Sequence, residues 1–96
     1  MTVYGIVQLR IHDQTPCERY VAGFMPVLRQ YGGRLVATDG ETEVIEGEWT
    51  GDRVVVLAFD DRDAFSTWIN SPEYQEIVKD RWAAAETTML LVRGVG

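Results

Sequence analysis

Apolar and polar residues alternate along the start of the chain, and this pattern predicts a half-buried strand over Thr2–Ile11. A second strand is indicated at Arg53–Phe59, where a β-branched run is typical of a central strand covered on both faces. A third strand is predicted at Thr87–Val92, close to the end of the chain. These three segments provide the framework of a sheet.

Two shorter apolar segments, Arg34–Thr38 and Glu43–Trp49, lie on either side of Asp39-Gly40. An Asp-Gly pair between strand-like segments is a strong signal for a tight turn. We therefore expect these two segments to be strands that form a hairpin with each other.

Apolar residues recur every three or four positions between Pro16 and Tyr31, which predicts the first helix. Its apolar stripe consists of Cys17, Tyr20, Val21, Phe24, Leu28 and Tyr31. Thr15 is the expected N-cap, with Pro16 in the first turn and Glu18 completing a capping box. Pro26 lies inside the helix and predicts a kink there.

Two further helices are predicted between the second and third strands. Asp60 or Asp61 is expected to cap a short helix, and Ser71-Pro72 to begin the next one. Their apolar positions are Ala64, Phe65, Trp68 and Ile69 in the first, and Tyr74, Ile77, Val78, Trp82 and Ala85 in the second. We place Phe59 and Trp68 in the core, packed between the sheet and the helix layer.

The order of these elements predicts an α+β fold, a ferredoxin-like split βαβ domain with one mostly antiparallel sheet and helices on one face. We expect residues 1–96 to form a single domain. The strand Arg53–Phe59 is apolar on both sides, and Tyr4 and Ile6 make the second face of the first strand apolar as well. Because the helices cover only one face, we expect a second copy of the chain to cover the other in a homodimer.

The amino-acid composition of the chain narrows the classes of partner that we expect it to bind. The chain has 46% hydrophobic and 25% charged residues and a net charge of −6, with nine Lys and Arg residues scattered along it. The absence of a basic cluster argues against binding nucleic acid or an anionic membrane. With no apolar run of spanning length and no signal-type pattern, we expect a soluble cytoplasmic protein. Cys17 and His12 are each the only residue of their type, so we expect no disulfide, metal or cofactor.

Several segments together resemble one known family. They are Asp13 followed by Tyr20, YGGRLV from Tyr31, VIEGEW from Val44, RVVVLAF from Arg53, WINSPEYQ from Trp68, and Arg81. In order and spacing they are similar, over essentially the whole chain, to the domain of unknown function (DUF) 1330 family of the dimeric α/β-barrel superfamily. The resemblance implies a ferredoxin-like dimer and points to no particular activity.

His12 and Asp13 are candidates for a catalytic acid–base pair, because imidazole titrates near neutral pH. The alternative is a strand-end histidine beside an aspartate that supports the turn into the helix. Cys17 lies in the first helical turn, where the dipole favours a thiolate, but it also begins the apolar stripe and so is expected to pack.

Aromatic and arginine side chains supply the candidate ligand contacts. Tyr20, Tyr31, Trp68, Tyr74 and Trp82 recur at helical core spacing, so packing is their default role, although a buried phenol needs a hydrogen-bond partner. Arg34, Arg53 and Arg81 can each hold a carboxylate through two hydrogen bonds, or pair with the abundant Asp and Glu.

From these candidates we predict a ligand site formed by Tyr20, Arg34, Tyr74 and Arg81. Tyr20 faces the sheet and Arg34 begins the next strand, and we expect both to approach the same end of the helix–sheet layer. The ligand would be a small molecule with a carboxylate or an enolisable carbonyl. A cofactor-independent enzyme, of the monooxygenase or isomerase kind found among dimeric α/β barrels, and a purely structural dimer module remain alternatives.

Overall fold

A computed structural model describes residues 1–95 of the chain. Its elements are β1 (Val3–Ile11), α1 (Gln14–Gln30), β2 (Arg34–Asp39), β3 (Arg53–Phe59), α2 (Arg62–Ile69), α3 (Pro72–Ala84) and β4 (Ala85–Arg93). The strands form one sheet in the order β2-β3-β1-β4, with every neighbouring pair antiparallel. This confirms the predicted α+β class. No helix within residues 1–95 is long and apolar enough to cross a membrane.

The predicted hairpin between Arg34–Thr38 and Glu43–Trp49 is wrong. β2 pairs with β3 instead, and the chain from residue 40 to residue 52 is an irregular loop between them. Gly47 lies in the left-handed region, with φ of 89°, and this conformation cannot continue a strand. The loop is anchored at its end, where the Ile11 backbone N–H donates to Asp52 Oδ2 over 2.7 Å.

The two faces of the sheet have different surroundings. Every second residue of β1, beginning with Val3, lies under the helices, and the strand alternates between buried and half-buried positions accordingly. The second face, called the open face here, has no helix over it. It carries Tyr4, Ile6, Val54, Val56, Leu90 and Val92. Leu90 and Val92 on β4 are 49% and 47% exposed, so the edge of this apolar face meets solvent.

The N-cap of α1 is Asp13, and the prediction of Thr15 is wrong. The Asp13 side chain accepts a hydrogen bond from the Thr15 backbone N–H, and the helix begins at Gln14. Pro16 therefore stands at the third helical position, where its missing N–H still costs nothing because the first four have no partner inside the helix. The helix runs through Pro26 and stops before Gly32, whose φ is 78°.

The helices α2 and α3 begin where the sequence predicts. Their N-caps are Asp61 and Ser71, which accept hydrogen bonds from the backbone N–H groups of Ala64 and Tyr74. Two predicted packing residues are in fact exposed: Val21 on α1 by 63% and Trp82 on α3 by 60%. Both sit at the margin of their apolar stripes, whereas α1 and α3 pack on each other and α3 also packs on β4.

Trp68 is the centre of the core and is fully buried. Its ring centroid lies 6.2 Å from that of Phe24 on α1, 5.3 Å from Phe59 on β3, 5.8 Å from Phe65 on α2 and 4.2 Å from Tyr74 on α3. One side chain thus contacts three helices and the sheet. The predicted placement of Phe59 and Trp68 in the core is confirmed.

Truncation of Trp68 or Phe59 to Ala should lower the free energy of unfolding by about 3–5 kcal/mol, because each change removes a fully buried ring and leaves a cavity. The matched control is Trp82→Ala, since Trp82 is exposed and should change stability by no more than about 0.5 kcal/mol. Denaturant curves at one protein concentration measure all three variants. Equal losses for Trp68→Ala and Trp82→Ala would contradict this description of the core.

Candidate functional site

A cavity of about 630 Å³ lies between α1 and the helix-facing side of the sheet. Its floor is apolar and comes from Val7 and Leu9 on β1 and from Val55 on β3, while Phe24 on α1 contributes to the opposite wall. The cavity reaches the edge strand β2 at Leu35, which is 39% exposed. No helix lies over β2, and the cavity therefore opens to solvent on that side.

Three polar side chains from two helices meet at the cavity. Arg81 on α3 donates from Nη1 to the Tyr74 hydroxyl oxygen over 2.6 Å, and its guanidinium carbon lies 5.9 Å from the centre of the Tyr20 ring. Tyr20 and Arg81 line the cavity, and Tyr74 is held behind them against Trp68. We call these three residues the Tyr–Tyr–Arg cluster. The packing of α1 on α3 brings Tyr20 to Tyr74 and Arg81, which lie two turns apart on α3.

The cluster combines a permanent positive charge with phenol groups. Burial raises the pKa of Tyr20 far above its ordinary value, the neighbouring Tyr74 raises it further, and Arg81 offsets part of the rise. Tyr20 is therefore a neutral phenol across the physiological range and can donate a hydrogen bond. Arginine stays charged at any such pH. The cluster can accordingly offer donors to a negatively charged or carbonyl oxygen.

Buried donors without partners lie at the same place. Within residues 1–95 the buried side-chain nitrogens and oxygens that lack a hydrogen bond are Trp68 Nε1, Arg81 Nε and Thr87 Oγ1. Trp68 and Arg81 both belong to the cavity lining. An unpaired buried donor costs about 1–3 kcal/mol, and a charged one more, so each such group calls for an explanation.

Arg34 does not join the other predicted ligand residues. It pairs with Ala58 in the sheet, whereas the cavity lies toward the opposite end of β3, near Arg53. Its Nη1 forms an exposed salt bridge of 2.8 Å with Asp60 Oδ1. The expectation that Arg34 and Tyr20 share one end of the layer fails because Arg34 and Ala58 are aligned with Tyr4 on the open face, so that Leu35 and not Arg34 faces the cavity.

The pairing of the strands places Arg53 at the cavity. The predicted ligand site did not include this residue. It lies on the helix-facing side of β3, directly opposite Leu9, and its Nη1 donates to Thr38 Oγ1 over 2.9 Å. The clue in the sequence was its position at the start of the best-defined strand. Recognising it required the pairing of β3 with β1 and β2.

The acid–base candidates His12 and Asp13 lie outside the cavity lining. His12 is exposed, and its backbone N–H donates to the Ala84 carbonyl oxygen over 2.8 Å, while the Asp13 side chain caps α1. Cys17 is half-buried and does line the cavity. Across residues 1–95 no group of three or more His, Cys, Asp or Glu side chains is arranged to hold a metal ion.

Comparisons with known proteins agree on the fold. A family model described as Domain of unknown function (DUF1330) matches residues 2–95. A protein of unknown function from Rhodopseudomonas palustris is similar over 99% of this chain and 83% of its own, with 19% identity and a TM-score of 0.83. A dimeric ferredoxin-like protein of unknown function from Thermobifida fusca is similar over 98% and 92%, with 15% identity and a TM-score of 0.71.

The cofactor-independent oxygenase SnoaB from Streptomyces nogalater is also similar, over 99% of this chain and 94% of its own, with 17% identity and a TM-score of 0.65. None of the curated proteins matches the chain. At these identities the structural likeness establishes a ferredoxin-like fold for the chain and carries no activity over to it.

The raised pKa of Tyr20 predicts a specific alkaline sensitivity. The Tyr20 phenol ionises less readily in the folded protein than in the unfolded chain, where its pKa is about 10. Its contribution to the free energy of unfolding is therefore intact below about pH 10 and is lost as the pH rises above that. Tyr20→Phe removes the group, and the free energy of unfolding should then fall less steeply with pH. Denaturant curves of parent and variant on either side of about pH 10 measure the difference. Parallel falls would contradict a buried Tyr20 phenol.

Proposed function

The chain belongs to the DUF1330 family and has a ferredoxin-like fold, and on that premise we propose that it binds a small carboxylate- or carbonyl-bearing molecule at the Tyr–Tyr–Arg cluster, as a homodimer. The observation that carries the proposal is Arg81, a cation that lines this cavity and forms no salt bridge with any residue from 1 to 95. A ligand oxygen would supply the counter-charge and accept hydrogen bonds from the guanidinium.

The geometry of a guanidinium suits this task. Arg81 donates one hydrogen bond to Tyr74 through Nη1, which fixes the plane of the group and leaves other terminal N–H groups for a ligand. Tyr20, held protonated by its surroundings, adds a phenol donor close to the same guanidinium. A carboxylate, or the oxyanion of an enolised carbonyl, accepts from both kinds of donor.

The remaining cavity wall defines the rest of the ligand. The lining is dominated by aliphatic and aromatic side chains, among them Val7, Leu9 and Phe24. Such walls favour an apolar body, and the few polar groups orient it. The volume of about 630 Å³ lies within the usual range of small-molecule pockets. The proposed ligand is therefore an apolar molecule with an acidic or carbonyl group at the end that meets Arg81.

The homodimer is proposed because the open face is largely apolar and has no helix over it. Similar proteins are described as dimeric. Packing two open faces together would bury Ile6, Val56 and Leu90 against their copies and place the two cavities on the outer sides of the paired sheets.

A cofactor-independent enzyme is the second candidate, and the fold likeness to SnoaB is the observation in its favour. The Tyr–Tyr–Arg cluster offers donors that stabilise an oxyanion formed from a bound ketone. The base that removes the proton would be either a basic group of the ligand or Glu18. Glu18 is an exposed carboxylate at the cavity rim. Oxygen uptake or isomer formation during aerobic incubation with a ligand that binds distinguishes catalysis from binding alone.

Ligand binding is tested with small aromatic carboxylates and 1,3-dicarbonyl compounds by thermal unfolding. A compound present at about 100 times its dissociation constant should stabilise the parent by about 2.7 kcal/mol. Arg81→Gln should remove most of this gain, and Tyr74→Phe, which takes away only the hydrogen bond that orients Arg81, should reduce it. Cys17 is the only cysteine and lines the cavity, so its alkylation rate in the parent should fall when the cavity is filled.

Arg34→Gln is the matched control for Arg81→Gln, because it removes the same charge at an exposed site outside the cavity lining. It should leave the ligand-induced stabilisation unchanged. Compounds that stabilise Arg81→Gln and the parent equally, without slowing Cys17 alkylation, would refute the proposed site.

The homodimer is tested by light scattering during size exclusion at micromolar concentration. The parent should show about twice the chain mass of 10.9 kDa. Leu90→Lys introduces a charge on the open face and should shift the protein toward the monomer, because two such charges would be buried together in a two-fold interface.

Trp82→Lys is the control for Leu90→Lys, since Trp82 is equally apolar and exposed but lies on α3, away from the open face. It should remain dimeric. A monomeric parent, or dissociation by both substitutions alike, would contradict assembly through the open face.

A further inference from the structure

Arg53 gives the cavity a second positive charge. It lies on β3 on one side of β1, whereas Arg81 reaches the cavity from α3, which packs on α1 and on β4 at the other side of β1. The two guanidinium groups thus approach the same space from different sides. Between them lie apolar residues of the sheet and of α1, including Leu9 and Phe24.

Neither of these two arginines forms a salt bridge with any residue from 1 to 95, although the chain contains 15 Asp and Glu residues against nine Lys and Arg. By contrast, Arg19 pairs with Asp80 and Arg34 with Asp60 at the surface. Glu18 is the one carboxylate of the cavity lining, and it is exposed, where solvent and salt screen its charge. Two cations without counter-ions in one confined space repel each other and attract anions.

The Arg53 side chain is also held in place. Its Nη1 donates to Thr38 Oγ1, and a Cβ atom at Gly40 would lie only 2.7 Å from its Nη2. The glycine therefore allows the turn after β2 to pack against the guanidinium. A half-buried arginine fixed on two sides in this way keeps donors free for a ligand without losing further side-chain entropy.

We propose that the ligand of this cavity is a dianion, a dicarboxylate with an apolar body whose two acid groups meet Arg81 and Arg53. The inference rests on the proposed function and adds to it the second acid group and the residue that selects it. A monocarboxylate would satisfy Arg81 and leave Arg53 without a counter-ion. A dicarboxylate neutralises both charges and keeps its apolar body against the cavity walls.

The test uses linear dicarboxylates from succinate to suberate, each compared by calorimetry with its own monomethyl ester. Acid and ester have nearly the same size and differ in one negative charge. For the chain length that spans the two arginines, the parent should bind the diacid at least tenfold more tightly than the ester, which corresponds to about 1.4 kcal/mol. Arg53→Gln should abolish this preference while leaving the affinity for the ester unchanged.

Two variants keep the result interpretable. Arg53→Lys preserves a cation and should retain part of the preference, and the unchanged ester affinity of Arg53→Gln shows that its loss of preference is not a folding defect. Arg34→Gln lowers the net charge equally but lies outside the cavity lining, so it should preserve the preference in full.

The outcomes separate the two proposals. The dianion inference is overturned if the parent binds diacid and ester equally, or if the preference for the diacid survives in Arg53→Gln. In either case, ester binding that depends on Arg81 upholds the proposed function. If no acid or ester of the series binds in a manner that depends on Arg81, the proposed site itself fails and the inference fails with it.

Discussion

The position of the Trp68 ring is the constraint on which the rest of the molecule depends. Its indole contacts aromatic rings from α1, β3, α2 and α3, so the three helices and the sheet share one packing centre. Each such aromatic pair adds about 0.5–1.5 kcal/mol beyond simple burial. Tyr74, the ring closest to Trp68, is also the residue that accepts the hydrogen bond from Arg81. The packing of Tyr74 on Trp68 in the core therefore fixes the position of the Tyr–Tyr–Arg cluster.

The cavity follows from the way this core is built. α1 packs on α3, α3 on β4 and α2 on β3, whereas every residue of the edge strand β2 is exposed. The helix-facing side of β3 near Arg53 is consequently left without a complete cover. A domain of this size has few apolar residues to spare, and a space lined by them lowers stability unless something fills it. The same incomplete cover leaves the space in which we propose that a ligand binds.

Local sequence patterns predicted β1, β3, α2 and α3 well, because each has a clear hydrophobic period and a recognisable start. They failed at Glu43–Trp49, where alternating residues imitate a strand but Gly47 adopts a left-handed conformation. They also identified Tyr20, Tyr74 and Arg81 as candidates without showing that α1 and α3 join them. The choice between Arg34 and Arg53 could not be made from the sequence, since it depends on the strand register that places Arg34 on the open face and Arg53 on the helix-facing side, a non-local property.

The irregularity in β2 has a consequence for the behaviour of the protein at high concentration. β2 is an edge strand, exposed along its whole length, and its pairing with β3 shifts between Leu35 and Ala37. A bulge at this point twists the edge and breaks the row of free backbone groups that another chain would need for continuous strand pairing. Charged residues, Arg34 and Asp39, stand at its two ends. Both features oppose the pairing of another strand with the β2 edge of the sheet.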